Sequence, residues 1–353
     1  MATSIWDSVL NEWNALLVQP LVPGVVRAPW ARLVWPRIQR VNEYTGIPLL
    51  IYVSACTAPA RKAPSELLSI DVSDKTAFHS MLEALDGPRL DVLIHSLGGY
   101  ADATETIVEE IRRKFGYVRF IVPSYAKSAA AMMVMSGDEI LIDEDADLGP
   151  IDPQFMTPGG AVAAEAIKEQ FRRASEEILK DAKKVQVWYP ILQTLGMGTL
   201  ASCDNAIELS KQIVADWLSK YMFRADSDAK PKAEKVAGFL SSPDWKSHGR
   251  RIKLEHLKPL DLHLTNLRDD VELYRRVWEL HCALDIVLIN TAIYKIYYNS
   301  ADVGIVRQQQ PQAPGIQLLL GQPGILPPGA IPQPGSPAPA APAPTPAPAI
   351  PKP

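Results

Sequence analysis

Residues 91–123 read DVLIHSLGGYADATETIVEEIRRKFGYVRFIVP. DVLIHS (91–96) is short and apolar, which predicts a buried strand. Two consecutive glycines, Gly98 and Gly99, then permit unusual dihedrals and a close backbone approach. In the segment that follows, Ile107, Val108, Ile111 and Phe115 fall on one face of a helix. YVRFIVP (117–123) predicts a second buried strand. Strand, helix and strand in this order predict parallel pairing through a right-handed crossover.

The same pattern extends outward. PLLIYVSA (48–55) and EILID (139–143) also read as buried strands, so the fold class is α/β with a parallel sheet of repeated βα units. The second half is helical in period over 161–187, 199–223 and 230–240. A long helix is predicted over 268–298, with apolar residues on more than one face. Such a helix is expected to be buried in a bundle or against another subunit. No repeat of 20–50 residues is visible.

The chain has 353 residues, with 40 acidic against 36 basic side chains and a formal charge of −4. Such a balance argues against a phosphate-driven nucleic-acid binder. Its 47% hydrophobic residues are enough for a sizeable core. Three scattered cysteines, Cys56, Cys203 and Cys282, disfavour a disulfide framework or a zinc cluster and make the reducing cytoplasm the expected compartment. His256 and His263 show no metal-ligand pattern. The N-terminus lacks the basic and apolar regions of a signal peptide, and no apolar run reaches the ~18 residues of a spanning helix. From Gln308 onward only Lys352 is charged, and 15 of the 31 prolines lie there. That stretch is expected to be a disordered Pro/Ala-rich tail, a solubilising extension or a ligand for a proline-recognising partner, with IQLLLG (316–321) its one sticky segment.

Four segments carry candidate chemistry. Ser96-Leu97-Gly98-Gly99-Tyr100 lies between a strand and a helix, where free amides bind a developing anion; it is equally a tight turn. Ser128 opens a helix of small residues after the strand ending at Pro123. It suits a nucleophile, with the Ala129 amide beside it, or a plain N-cap. Asp152 is held between Ile151 and Pro153 after Pro150, rigidly presented or simply a turn residue. His248 stands in a polar turn, a base or a surface residue.

Together HSLGGYADA, VPSYAKSAAA, LGPIDPQF and WKSHGRRI, in that order, resemble the serine dehydrogenase proteinase family of the Clp protease and crotonase-like superfamily. The resemblance covers about residues 38–265 and is most specific in LGPIDPQ. It implies a crotonase/Clp-like fold and a serine peptidase with Ser128, Asp152 and His248 as its triad. The oxyanion hole would be formed at Gly98, Gly99 and Ala129. The substrate would be a peptide or protein, with no metal and no cofactor. Asp152 follows Ser128 by 24 residues, close to where Clp-type proteases place a catalytic histidine. Two positions depart from the family: Ala129 and Ala130 replace small glycine-rich positions, and Lys127 stands where a neutral residue is more usual. Signal peptide peptidase A, another relative, implies an alternative Ser–Lys dyad using Lys180, Lys183 or Lys184. A non-catalytic assembly scaffold and acyl-CoA chemistry are the remaining readings. The expected organisation is an N-terminal helical segment (1–37), the peptidase domain (38–265), a long C-terminal helix serving homo-oligomer assembly (266–307) and the tail (308–353).

Overall fold

In the computed structural model the described residues are 4–19, 27–58, 63–157, 160–245 and 247–309. The Pro/Ala segment and IQLLLG lie outside them. The central sheet has seven strands: β1 (Leu49–Ser54), β2 (Arg89–His95), β3 (Tyr117–Val122), β4 (Glu139–Ile142), β5 (Leu264–Asn266), β6 (Ile293–Asn299) and β7 (Gly304–Gln308). Their spatial order is β7-β6-β1-β2-β3-β4-β5. The run β1 to β5 is parallel, and β6 and β7 add antiparallel to the free edge of β1.

Helices cover both faces. They are α1 (Ile5–Val18), α2 (Pro29–Thr45), α3 (Asp74–Glu83), α4 (Ala101–Lys114), α5 (Ala129–Val134), α6 (Ala164–Lys180), α7 (Val185–Leu192), α8 (Thr199–Lys220), α9 (Ala229–Leu240) and α10 (Val271–Asn290). Strand alternation sorts the core. Leu50, Tyr52, Val92, Ile94, Phe120 and Ile140 face α3, α4, α5, α8 and α9. Leu49, Ile51, Val53, Leu93, Ile121 and Leu141 face α1, α2 and α10. No helix among the described residues is long and apolar enough to cross a membrane.

The predicted helix 268–298 needs correction. Its helix ends at Asn290, and IYKIYYN (293–299) is strand β6. This segment is buried on both faces, so it lacks the polar alternation that marks a half-exposed strand. The many-sided apolar character of α10 is satisfied within the chain. Residues such as Leu280, Ala283, Leu284 and Val287 are buried against α1, α2 and the sheet. A second subunit is not needed to cover it.

Candidate active site

The site gathers at the C-terminal ends of β2, β3 and β4, the usual mouth of a parallel sheet. Beyond β2 the chain stays extended and pairs with the segment after β3: Ser96 N–H donates to Tyr125 O at 3.1 Å, and Lys127 N–H to Ser96 O at 3.0 Å. Ser128 therefore lies directly against the Gly98-Gly99 turn. A Cβ on Gly98 would sit 2.4 Å from Lys127 O and 2.7 Å from Ser128 Cβ, at a φ of +95°. Only glycine fits there. Gly99 is packed as tightly on Ile70, where a Cβ would lie 2.2 Å from the Ile70 carbonyl oxygen. Ile70 N–H donates to Gly98 O at 2.8 Å, and Tyr100 N–H to Ile70 O at 2.9 Å. Nothing in the sequence announced this role for Ile70.

Ser128 has φ +53° and ψ −127°, an unfavourable conformation for a residue with a Cβ. This sharp turn lifts the residue between strand and helix. The plain N-cap alternative fails, because its hydroxyl makes no capping hydrogen bond to α5. Among the described residues Ser128 Oγ has no hydrogen-bond partner at all. The Gly98 N–H is taken by Ser96 Oγ at 3.1 Å. Those of Gly99 and Ala129 are bound to no acceptor among the described residues. Two free amides thus flank the serine, and Gly98 shapes the turn between them.

Asp152 and His248, 96 residues apart, are joined by a 2.8 Å hydrogen bond between Oδ1 and Nδ1. Gln154 Nε2 donates to the other carboxylate oxygen at 2.9 Å, which fixes the carboxylate plane. With Asp152 ionised, the imidazole proton sits on Nδ1 and Nε2 is left as an acceptor. Both side chains are partly exposed.

The His248 loop is stitched to the segment leading to Asp152 and to the Ser128 segment. Leu148 and Ile252 exchange two backbone hydrogen bonds of 2.9 Å, and Arg251 pairs with the buried Asp147 at 2.8 Å. Lys127 Nζ donates to Gly249 O at 3.0 Å. Lys127 is nearly buried, and desolvation holds its ammonium below the usual lysine range. Its stem crosses Gly149, where a Cβ would come within 2.7 Å of Lys127 Cβ. The lysine flagged in the sequence as a departure is thus a strut from the serine segment to the histidine loop. By contrast Lys180, Lys183 and Lys184 are exposed, with Lys184 paired to Glu177 at 3.3 Å.

A second polar cluster lies nearby. His95 Nε2 is 3.2 Å from Thr57 Oγ1 and 3.5 Å from Cys56 Sγ. Burial pushes the Cys56 thiol up to about 11 and His95 well below the ordinary histidine value, so both are neutral near pH 7. His256 accepts from Lys253 N–H at 3.1 Å, and His263 lies 3.1 Å from Asp138 O. Among the described residues no cluster of three or more metal-ligating side chains occurs.

Two uncharacterized proteins of Methanocaldococcus jannaschii are similar to this chain. One is 26% identical over 215 residues, 61% of this chain and 63% of its own length. The other is 28% identical over 192 residues, 53% of this chain and 59% of its own length. The chain therefore spans about three fifths of the length of these relatives. A solved structure of a membrane-bound stomatin-specific protease, a serine mutant, aligns at 15% identity with a TM-score of 0.35, over 59% of this chain and 79% of that one. A family profile described as ClpP-like SDH-type serine proteinase matches residues 66–284, which hold the Gly-Gly turn, Ser128, Asp152 and His248. On that match, the chain belongs to the ClpP-like SDH-type serine proteinases.

Proposed function

We propose that this chain hydrolyses peptide bonds through Ser128, His248 and Asp152. His248 Nε2 takes the Ser128 proton as Oγ attacks the scissile carbonyl. Asp152 holds the imidazole tautomer and stabilises the imidazolium. The oxyanion forms against the Gly99 and Ala129 amides. The imidazolium then gives its proton to the leaving amine, and water repeats the sequence to free the acid and Ser128. Each oxyanion donor in such a site is worth about 3–4 kcal/mol in the barrier.

The observation that carries the reading is the 2.8 Å Asp152–His248 bond, made by a loop that Lys127 ties to the serine segment. Ser128 Oγ is free to meet Nε2 when substrate closes the site. The test is covalent labelling by a fluorophosphonate, with the modified peptide mapped by mass spectrometry. Label should fall on Ser128 and vanish in Ser128→Ala. It should drop by orders of magnitude in His248→Ala and persist in Lys180→Ala, Lys183→Ala and Lys184→Ala. No labelling of the folded wild-type chain would favour the scaffold reading. A dead lysine variant beside an active His248→Ala would replace the triad with a dyad.

A further inference from the structure

One hollow opens directly off the Asp152–His248 pair. It holds about 220 Å³, room for a single long side chain, and both residues belong to its walls. Neither the Gly98-Gly99 turn nor Ser128 lines it. The scissile carbonyl carbon must sit between Ser128 Oγ and the Gly99 and Ala129 amides, whereas His248 returns its proton to the leaving amine. A hollow that touches the histidine and not the oxyanion donors therefore lies on the leaving-group side. It faces the side chain of the residue that begins the new N-terminus.

The chemistry of the walls selects that side chain. Ala163, Ala166 and Trp245 make them mostly apolar. Trp245 is held in place: its indole N–H donates to Phe239 O at 2.7 Å, and its ring meets those of Phe239 and His256 edge to face, with centroids 5.0 and 5.7 Å away. Such a wall is pre-formed and costs little to bind against. Among the described residues no lysine or arginine lines the hollow, while the carboxylates of Asp152, Glu165 and Glu169 do. Two of these are already committed. Asp152 serves His248 and Gln154, and Glu169 is bound by Arg172 at 2.6 Å. Glu165, in the first turn of α6, is held only by Lys168 at 3.4 Å, and Lys168 stands closer to Asp204, at 2.9 Å. The Glu165 side chain is 44% exposed, so that pair is weak and exchanges readily. An apolar wall ending at one available carboxylate fits an aliphatic stem with a cationic head. A wholly apolar side chain would strip water from the carboxylate without replacing it, and an acidic one would meet a like charge.

We infer that this hollow is the subsite for the first residue after the scissile bond, that it takes arginine or lysine there, and that Glu165 sets the preference. The inference deepens the peptidase reading and rests on it. Glu165 meets the substrate side chain and not the reacting atoms, so it governs which bond is cut.

The test digests a mixture of synthetic peptides of varied sequence with the full chain and reads the first residue of every new N-terminus by mass spectrometry. With wild type, arginine and lysine should stand there about tenfold above their share of the mixture. Glu165→Gln should abolish the enrichment. Glu165→Lys should turn it toward aspartate and glutamate, a reversal that damage to the fold cannot produce. Lys168→Gln, which frees Glu165, should raise it. Circular dichroism checks that each variant is folded; if the Glu165 variants are not, Lys168→Gln decides. Cleavage with no basic preference, enrichment of apolar residues in its place, or a preference that the folded variants leave untouched would overturn the inference and leave the peptidase reading standing. A folded wild type that cuts nothing overturns the inference as well, and if it also takes no fluorophosphonate label the peptidase reading falls with it.

Discussion

Strain at a single serine marks the proposed reacting centre. A positive φ on a residue with a Cβ costs about 1–3 kcal/mol, and the surrounding contacts must impose it. The Gly98 contact is one of them. Gly98→Ala is expected to express as a folded protein with its melting temperature lowered by several degrees, and to lose labelling at Ser128 almost completely. Thermal denaturation and fluorophosphonate labelling check the two halves. Lys127 acts through Gly249. Lys127→Met should lower kcat more than it raises KM, with Lys127→Arg recovering part of the loss in steady-state assays. At Cys56 the sign is simple. A thiol pushed up to about 11 has about a hundredfold less thiolate at pH 8 than a free cysteine. Alkylation of Cys56 by iodoacetamide should therefore be slow at pH 8 and accelerate toward pH 11; rapid labelling at pH 7 would contradict the burial argument. The serine, aspartate and histidine stood out in the sequence because each lies in a short, dense motif. Ile70 did not, because its contribution is a backbone pairing that any side chain could make. Nor did the Lys127 strut, because its partner is a carbonyl 122 residues away.

Among the elements, β6 carries the hardest lesson. Its seven residues continue the apolar content of α10, and burial on both faces erased the alternation that distinguishes strand from helix. The strand also brings Lys295 into the interior. Lys295 Nζ donates to Asp74 at 2.8 Å and to Ser69 O at 2.6 Å; the Tyr297 and Tyr52 hydroxyls and the Asp71 N–H also donate to the carboxylate, and Arg307 Nε lies 3.9 Å from it. Asp74 and Lys295 are both buried. This cluster pins residues 69–74, the segment whose Ile70 backs the Gly98-Gly99 turn. Lys295→Met would take the close cation from a buried carboxylate and leave it only Arg307 at 3.9 Å, which costs about 3–5 kcal/mol. Urea denaturation should show that loss. A change under about 1 kcal/mol would mean that the remaining partners, the tyrosines and Arg307, suffice. The four parallel strands β1 to β4 were legible because each is a short apolar run bounded by turn residues. β5 has only three half-buried residues and offered no such signal.

For the whole molecule, the βα order from β1 to β4 was enough to foresee a parallel sheet, and the antiparallel closure by β6 and β7 was not. Pairing of that kind depends on contacts across most of the chain. β7 completes the sheet at Gln308, and the composition beyond it offers little to bury. Truncation after Gln309 should therefore leave the melting temperature within about 2 °C of the full chain, as differential scanning calorimetry can establish. A larger drop would mean that the remaining residues pack on the fold.

The order of synthesis gives that closure a further meaning. β1 leaves the ribosome about 240 residues before β6, the strand that pairs with its outer edge, and well before α10, which covers one of its faces. At about 5–20 residues per second the apolar LLIYVS edge waits roughly 10–50 s for its neighbour. Throughout that interval the Gly98-Gly99 turn lacks the buried Asp74–Lys295 anchor behind Ile70. The segments that hold Ser128, Asp152 and His248 are thus made before the strand that anchors the Gly98-Gly99 turn, and the site is completed only when β6 joins the sheet. The same delay leaves an apolar edge open in the growing chain, so slower expression in the cold should raise its soluble yield.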